Sequence, residues 1–450
     1  MLTSDSQSLA LRHLWLHFTP MGDKLTELPI IVRGEGCYVY DEEGRRYLDG
    51  LSSLFCVNVG HGRRELAAAA AAQAEELAFY SNWSAAHPRA VELAAKISSL
   101  APGELNRVFF ATSGGDANES AIKLVRQYHK LSGSPLKTKI IARREAYHGT
   151  SLGALSLTGI TAIRAPFEPL LPGACHVPNA KTYGLPEGYD VGELAEAVRE
   201  RILFEGPETV AAVIMEPVQN SGGCIPPPEG YFQRVREICD EFDVLLISDE
   251  VICAWGRLGY FFGHERYGYS PDIVTTAKGL TSAYIPIGAV IATDRVFEPF
   301  RASSYPFLHG NTFGGHPVST AVALANIELM EQEELPQRVL HHEDDLRTRL
   351  ESLYEVPIVG DVRGAGYFYA LELVRDQRTK EPFSRRDTAK LRVTLQRDLM
   401  KAGLICRVDD RGGSIVELAP PLIAGPEEFD EIVGILRPAL TRAADRMGIA

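Results

Sequence analysis

The chain has 450 residues, and its hydrophobic share of 45% and charged share of 23% are those of an ordinary soluble globular protein. The formal net charge of −13 argues against a nucleic-acid partner, and no apolar run reaches the roughly 20 residues of a membrane-spanning helix. The seven cysteines are scattered without a Cys-x-x-Cys pair, which favours a reducing cytoplasm over a disulfide framework and predicts no metal site.

Short apolar strands alternate with helices through the middle of the chain. The apolar pattern predicts helices at 66–77, 116–129 and 231–242, and strands at 107–111, 140–143, 210–215, 244–248, 273–276 and 288–292. This alternation is typical of an α/β fold built on a mostly parallel sheet.

The pattern changes after about residue 316. Two long helices, at 317–334 and 335–353, precede a strand at 367–373. We therefore predict a large α/β domain and a smaller α+β domain to which both ends of the chain contribute. The predicted segments are 1–60 and 326–450 for the small domain and 61–325 for the large one.

Two of the apolar strands lead into residues that are costly to bury. Asp249 ends the run Val-Leu-Leu-Ile-Ser-Asp, and Lys278 follows the run Pro-Asp-Ile-Val-Thr-Thr-Ala. A lysine can bind the aldehyde of pyridoxal 5'-phosphate covalently, while an aspartate keeps the pyridine nitrogen protonated so that the ring accepts electrons. The pair predicts a pyridoxal phosphate site in which Lys278 and Asp249 are catalytic.

The turn Thr112-Ser113-Gly114-Gly115-Asp116 joins a predicted strand to a predicted helix. Glycines let the backbone approach an anion, and the free N–H groups at the start of a helix supply hydrogen-bond donors. We interpret Ser113, Gly114 and Gly115 as the part of the site that holds the cofactor phosphate.

Side chains near other strand ends complete the predicted cofactor site. We expect Tyr147 and His148 to contact the cofactor, with the tyrosine ring stacked on the pyridine so that the bond to be broken stands perpendicular to it. Val251, two residues beyond Asp249, is predicted to pack on the opposite ring face. Glu216 follows a further strand and should point into the ligand crevice.

Class III aminotransferases of fold type I, and most of all the omega-amino acid–pyruvate transaminases, are the family that this chain resembles. The likeness is carried by the runs DEVICAWGRLG (249–259) and PDIVTTAKGLTSAYIPIGAVI (271–291) and extends from about residue 17 to residue 422. It implies a ping-pong reaction in which a primary amine or omega-amino acid gives its amino group to a keto acid. It also implies that Lys278 moves the substrate proton and that Tyr147 aligns the cofactor.

Further residue roles are implied by this resemblance. Phe55 and Trp83 match two walls of the substrate pocket, and Arg407 matches an arginine that binds the substrate carboxylate, with Arg411 as a rival. Thr312 matches a threonine that reaches the phosphate of the neighbouring subunit. The implied functional unit is a homodimer with shared active sites, and a pairing of dimers into a tetramer stays open.

Pyruvate is the predicted acceptor. Ornithine- and 4-aminobutyrate-type relatives tend to carry a fixed arginine just before the run Ala-Pro-Pro-Leu (419–422), where this chain has Glu417. Those 2-oxoglutarate-dependent enzymes remain an alternative, as do an aminomutase, a decarboxylase and a cofactor-binding protein without activity. Arg257, in Trp255-Gly256-Arg257, is interpreted as part of a structural pair rather than as a catalytic group.

Overall fold

The computed structural model describes residues 5–22 and 28–449. Residues 1–4, 23–27 and 450, which belong to the predicted small domain, lie outside the described residues. In the described ranges, no helix is both long enough and apolar enough to cross a membrane.

Helices and strands alternate along most of the chain. The helices are α1 (Asp5–His13), α2 (Ser52–Phe55), α3 (Arg64–Glu76), α4 (Pro88–Leu100), α5 (Gly114–Leu131), α6 (Leu152–Leu157), α7 (Thr161–Arg164), α8 (Glu193–Glu205), α9 (Tyr231–Glu241), α10 (Gly263–Tyr267), α11 (Asp294–Ala302), α12 (Pro317–Gln332), α13 (Leu335–Glu351), α14 (Arg385–Lys401) and α15 (Pro426–Met447). The strands are β1 (Ile31–Glu35), β2 (Tyr38–Asp41), β3 (Arg46–Asp49), β4 (Leu105–Ala111), β5 (Lys139–Arg143), β6 (Ala174–Val177), β7 (Val210–Met215), β8 (Leu245–Asp249), β9 (Ile273–Thr276), β10 (Gly288–Thr293), β11 (Val359–Ala365), β12 (Phe368–Leu373), β13 (Leu404–Ile405), β14 (Arg407–Asp409) and β15 (Ser414–Leu418).

The central sheet has seven strands in the order β4-β10-β9-β8-β7-β5-β6. Only β10 among them runs antiparallel to its neighbours, and the other pairings in this described sheet are parallel. Strands β7, β8 and β9 are buried along their whole length. An apolar cluster that includes α5 covers one face of all three strands, and a cluster that includes α8 and α9 covers the other face of β7 and β8. The predicted α/β fold with a mostly parallel sheet is confirmed.

Three neighbouring strands of this sheet end at the same edge. In the parallel register, Met215 of β7 lies opposite Ser248 of β8, and Asp249 lies opposite Thr275 of β9. The residues that follow these strands therefore emerge side by side. This register brings Glu216, Asp249 and Lys278 to one edge of the sheet, where ligands bind in open α/β sheets.

Two smaller sheets join the ends of the chain. In the first, of order β1-β2-β3-β13, the C-terminal strand β13 pairs with β3, so that Leu404 lies opposite Leu48. The second, of order β11-β12-β15-β14, is antiparallel throughout. This pairing of β3 with β13 supports a small domain built from both ends of the chain, while its boundaries near residues 60 and 325 stay a prediction.

Arg257 is fully buried between these parts of the structure. Its Nη1 donates to the carbonyl oxygens of Tyr367 (3.0 Å) and Pro420 (2.6 Å). Its Nη2 donates to Ser52 Oγ (3.1 Å) and Asn58 Oδ1 (2.7 Å). Arg257 therefore joins separate segments through four neutral oxygens, in place of the structural pair that the sequence predicted. Burial lowers the pKa of Arg257 to about 10.

Candidate active site

A cleft of about 1380 Å³ opens at the carboxyl edge of β7, β8 and β9. Most of the site residues predicted from the sequence line it, although they come from distant parts of the chain. They are Phe55, Ser113, Gly114, Gly115, Tyr147, His148, Glu216, Asp249, Val251, Lys278 and Arg407. Trp83 and Thr312 are absent from its lining in this chain.

Lys278 enters the cleft from the turn that follows β9. Its φ is +45°, a left-handed conformation that costs a non-glycine residue roughly 1–3 kcal/mol and persists where the surrounding structure enforces it. Its Nζ lies 5.0 Å from the ring centroid of Phe55. Burial is the largest effect on the amine and lowers the pKa of Lys278, and the nearby Arg407 cation lowers this pKa further. These surroundings favour the neutral amine that proton transfer requires.

Asp249 is buried and held by three donors. Its Oδ2 accepts from Asn118 Nδ2 at 2.8 Å and lies 2.7 Å from His148 Nδ1, and its Oδ1 accepts from the Val251 amide at 3.2 Å. Asn118 Nδ2 also donates to the carbonyl oxygen of His148 at 2.7 Å. This network fixes one carboxylate in the floor of the cleft. His148 contacts Asp249 directly, so that it can act on a cofactor through this carboxylate.

The predicted phosphate turn opens α5. Ser113 caps this helix, because its Oγ accepts from the Asp116 amide at 3.2 Å. The amides of Gly114 and Gly115 lie in the first turn, where N–H groups have no intrahelical acceptor. A Cβ atom on Gly114 would stand 2.6 Å from Cγ1 of Val251, so that only glycine fits there. The helix start therefore offers a tight anion cradle with backbone donors.

Val251 reaches the cleft as predicted, but it belongs to a turn and not to the strand whose alternation was expected to place it there. Strand β8 ends at Asp249, and the turn after it places Val251 against Gly114.

Tyr147 is half-buried in the cleft, and its amide donates to Glu216 Oε1 at 3.4 Å. Burial raises the pKa of Glu216, whose Oε2 accepts from the Asn220 amide at 3.0 Å. Glu216 therefore points into the ligand crevice, as its place at the end of a strand predicts.

The end of the cleft beyond Lys278 is cationic and aromatic. Arg407 stands on strand β14, and its guanidinium carbon lies 4.8 Å from the ring centroid of Phe55. Arg407 Nη1 makes one contact of 3.3 Å with Oε2 of Glu417, the residue directly opposite on β15. The other guanidinium nitrogens are available to an anion in the cleft, and a planar guanidinium suits a carboxylate.

Arg411, the rival to Arg407, also lines the cleft. Its Nε lies 2.7 Å from both carboxylate oxygens of Asp409, which hold it more closely than Glu417 holds Arg407. The Arg411 cation is the main charge that opposes the burial-driven rise in the pKa of Tyr147. The structure therefore brings both arginines to the cleft, with Arg407 against Phe55 and both cations near Tyr147.

Trp83 and Thr312 lie on the surface of the chain. The Trp83 side chain is 72% exposed and stands beside Gly310, two residues before the exposed Thr312. Their neighbour Asn311 does line the cleft, because its Nδ2 donates to Asp116 Oδ2 at 3.3 Å. The roles predicted for Trp83 and Thr312 therefore remain predictions that need a second subunit.

Sequence reasoning did not identify the function of Asn118. The available signal was its position, since Asn118 stands two residues after Asp116 in the first turns of α5. Asp409, Asp410 and Arg392 were likewise not predicted as lining residues. In residues 5–22 and 28–449, no cluster of three or more His, Cys, Asp or Glu side chains could hold a metal ion.

The family model described as Aminotransferase class-III matches residues 22–440. The chain is a class III aminotransferase. Such enzymes use pyridoxal phosphate and move an amino group between an amine and a keto acid. The resemblance inferred from the sequence is confirmed, and the cleft built around Lys278 and Asp249 is the candidate active site.

Individual relatives cover nearly the whole chain. A probable aminotransferase of Mycobacterium tuberculosis is 54% identical, over 96% of this chain and 93% of its own length. A putrescine–pyruvate aminotransferase of Pseudomonas aeruginosa is 39% identical, over 98% of this chain and 97% of its own. The solved structure of an (S)-enantioselective omega-transaminase from Thermomicrobium roseum superposes with a TM-score of 0.94 at 39% identity and covers 98% of both chains. The expected fold-type I architecture is thereby confirmed.

Proposed function

We propose that this aminotransferase is an omega-transaminase that moves the amino group of a primary amine or omega-amino acid to pyruvate by a ping-pong mechanism. One observation carries the proposal. Arg407 stands at the substrate end of the cleft, next to Phe55 and Lys278, and Glu417 engages only one of its guanidinium nitrogens. A guanidinium that is bound internally through one nitrogen suits a keto acid with one carboxylate. The pyruvate-dependent relative from P. aeruginosa is in keeping with this acceptor.

The residues of the cleft fit pyridoxal phosphate. The amides of Gly114 and Gly115 suit its phosphate, Asp249 suits its pyridine nitrogen, and the Lys278 amine suits its aldehyde. When bound, this cofactor supplies the aldehyde to which an amine is attached and a ring that accepts electrons from the bond being broken.

The chain's own residues then have distinct tasks. With the cofactor bound, the neutral Nζ of Lys278 would take the proton from the amine-bearing carbon of the substrate and deliver it to the carbon that formed the aldehyde of the cofactor. The Asp249 carboxylate, held by Asn118 and His148, would stabilise a proton on the pyridine nitrogen. Tyr147 would limit the tilt of the ring, so that the carbon–hydrogen bond stays aligned.

We also propose a homodimer with shared active sites. Trp83 and Thr312 are exposed on one surface, together with the exposed Leu308 (79%) and Phe313 (60%). An apolar surface of this kind beside a cleft fits an interface between subunits.

Mixing a Lys278→Ala subunit with a Thr312→Ala subunit tests whether the active sites are shared, because a hybrid dimer would regain one intact site. Hybrids no more active than the two parent variants would contradict shared sites.

A 2-oxoglutarate-dependent reaction is the second candidate, because Arg411 also lines the cleft. Two arginines in one cleft could hold the two carboxylates of 2-oxoglutarate. The ion pair of Arg411 with Asp409 weakens this candidate, because the second carboxylate would have to displace an internal one.

The deciding experiment begins with the enzyme in its pyridoxamine phosphate form. Pyruvate and 2-oxoglutarate are then added separately, and the return of the visible cofactor band is followed. Recovery with pyruvate, reduced in Arg407→Ala and unchanged in Arg411→Ala, would support the proposal. Recovery with 2-oxoglutarate alone, lost in Arg411→Ala, would replace it by the second candidate. No recovery with either acid would point to an aminomutase, a decarboxylase or an inactive cofactor-binding protein.

A further inference from the structure

Glu417 is an unusual neighbour for the arginine that faces the substrate. Its side chain is fully buried on β15, whereas the Arg407 side chain opposite it is 22% exposed in the cleft. Its Oε2 contacts Arg407 Nη1 at 3.3 Å, and its Oε1 has no hydrogen-bond partner among the described residues. A buried carboxylate with one long contact and one unsatisfied oxygen is poorly compensated.

We propose that Glu417 is a specificity-determining residue, which competes with the carboxylate of the substrate for Arg407 and takes up a proton when the substrate prevails. This inference rests on the proposed role of Arg407 and deepens it. A substrate carboxylate that binds Arg407 brings a second negative charge towards Glu417 or draws the guanidinium away from it. In either case the buried carboxylate becomes less stable than its neutral form.

The charges around Glu417 make this exchange feasible. Arg407 on β14 is the main favourable charge, Arg411 is a weaker one, and Asp409 on β14 opposes them. Together with burial, which is the largest effect, they leave the pKa of Glu417 raised to about 7. The two thiols near it, Cys224 and Cys406, have pKa values raised by burial and stay uncharged at this pH.

The raised pKa of Glu417 determines how the binding of a carboxylate depends on pH. Below pH 7 the Glu417 side chain is already neutral in the free enzyme, so that a carboxylate binds without proton uptake. Above pH 7 the side chain is charged, and each binding event must take a proton from solvent. The affinity for carboxylates therefore falls as pH rises above about 7, by up to roughly tenfold per pH unit. A substrate without a carboxylate lacks this dependence.

The test measures how the holoenzyme binds propionate, which carries the carboxylate of pyruvate without its reactive keto group. Dissociation constants are determined between pH 6 and pH 9 for the wild type and for Glu417→Gln. We expect the wild-type constant to rise about tenfold between pH 7 and pH 8.5, and the variant constant to stay level. Calorimetry in buffers of different ionisation enthalpy should show proton uptake in the wild type alone.

Glu372→Gln is the matched control. Glu372 lies buried on the adjacent strand β12 of the same sheet, but its partners are Arg363 and Lys181 rather than a residue of the cleft. This variant should keep the wild-type pH dependence of propionate binding. If Glu417→Gln folds poorly, Glu417→Met provides a second neutral side chain of similar volume, and it should give the same level profile.

The outcomes separate this inference from the proposed function. Arg407→Ala should weaken propionate binding at every pH, and unchanged binding in that variant would remove the proposed carboxylate role of Arg407. If Arg407→Ala binds propionate more weakly but Glu417→Gln keeps the wild-type pH dependence, the role of Glu417 is overturned and that of Arg407 stands. Proton uptake that persists in Glu417→Gln would overturn it as well.

Discussion

Asn118 donates from its Nδ2 to Oδ2 of Asp249 over 2.8 Å, and it is 1% exposed. The same nitrogen reaches the carbonyl oxygen of His148, whose ring also contacts Asp249. One side chain of α5 thereby fixes the carboxylate at the end of β8 and the loop after β5. The helix that begins with the proposed phosphate turn thus also holds Asp249, the carboxylate proposed to face the pyridine nitrogen. One helix therefore joins the two ends of the proposed cofactor site.

Asn118→Ala is expected to weaken the binding of pyridoxal phosphate. The Asp249 carboxylate would lose a donor worth roughly 1–3 kcal/mol, which corresponds to a rise of about fivefold to 150-fold in the cofactor dissociation constant. Titration of the apoenzyme with cofactor, followed by absorbance, measures the change. Asn106→Ala, an exposed asparagine that bonds Asp294, is the matched control. Equal cofactor affinity in both variants would show that Asn118 has no such role.

Much of this site was predictable because parallel strands deliver their last residues to one edge. Asp249 and Lys278 stood out as charged residues beside apolar runs, and the strand register then placed them together. Asn118 and Glu417 were not assigned roles, because their partners come from other elements and depend on tertiary register. The role of Thr312 could not be tested in a single chain, because the predicted contact is with the phosphate of a neighbouring subunit.

The effect of Lys278→Ala distinguishes the catalytic amine from the rest of the cofactor site. We expect turnover to fall at least roughly a thousandfold, because both covalent attachment and proton transfer need this nitrogen. The phosphate cradle and Asp249 remain, so the variant should still bind the cofactor non-covalently. Steady-state rates and mass spectrometry after borohydride reduction measure the two effects. Lys130→Ala, at the exposed end of α5, should behave like the wild type. Normal turnover in Lys278→Ala would reject the assignment.

Arg257→Met is predicted to destabilise the fold rather than to alter chemistry. Four oxygens from separate segments, those of Tyr367, Pro420, Ser52 and Asn58, would lose their shared donor. Unsatisfied buried acceptors of this kind cost about 1–3 kcal/mol each, partly relieved by relaxation. Urea unfolding should therefore show a clearly lower midpoint.

The control for Arg257→Met is the same substitution on the surface. Arg442→Met changes an exposed arginine of α15 and should alter the free energy of unfolding by no more than about 0.5 kcal/mol. Similar midpoints for the two variants would contradict the structural role of Arg257.

The two glycines of the phosphate cradle should respond in opposite ways to serine. An added Cβ at Gly115 would meet nothing closer than the Gly149 Cα atom at 3.8 Å, whereas one at Gly114 would stand 2.6 Å from Val251. The open space beside Gly115 would accept a serine side chain, so Gly115→Ser should add a hydroxyl donor to the phosphate. We expect it to tighten cofactor binding several-fold, about the value of one hydrogen bond. Gly114→Ser should weaken binding and lower the unfolding midpoint, because Val251 or the turn must move. Apoenzyme titrations of both variants measure these shifts, and tighter binding in Gly114→Ser would show that the cradle is looser than its geometry indicates.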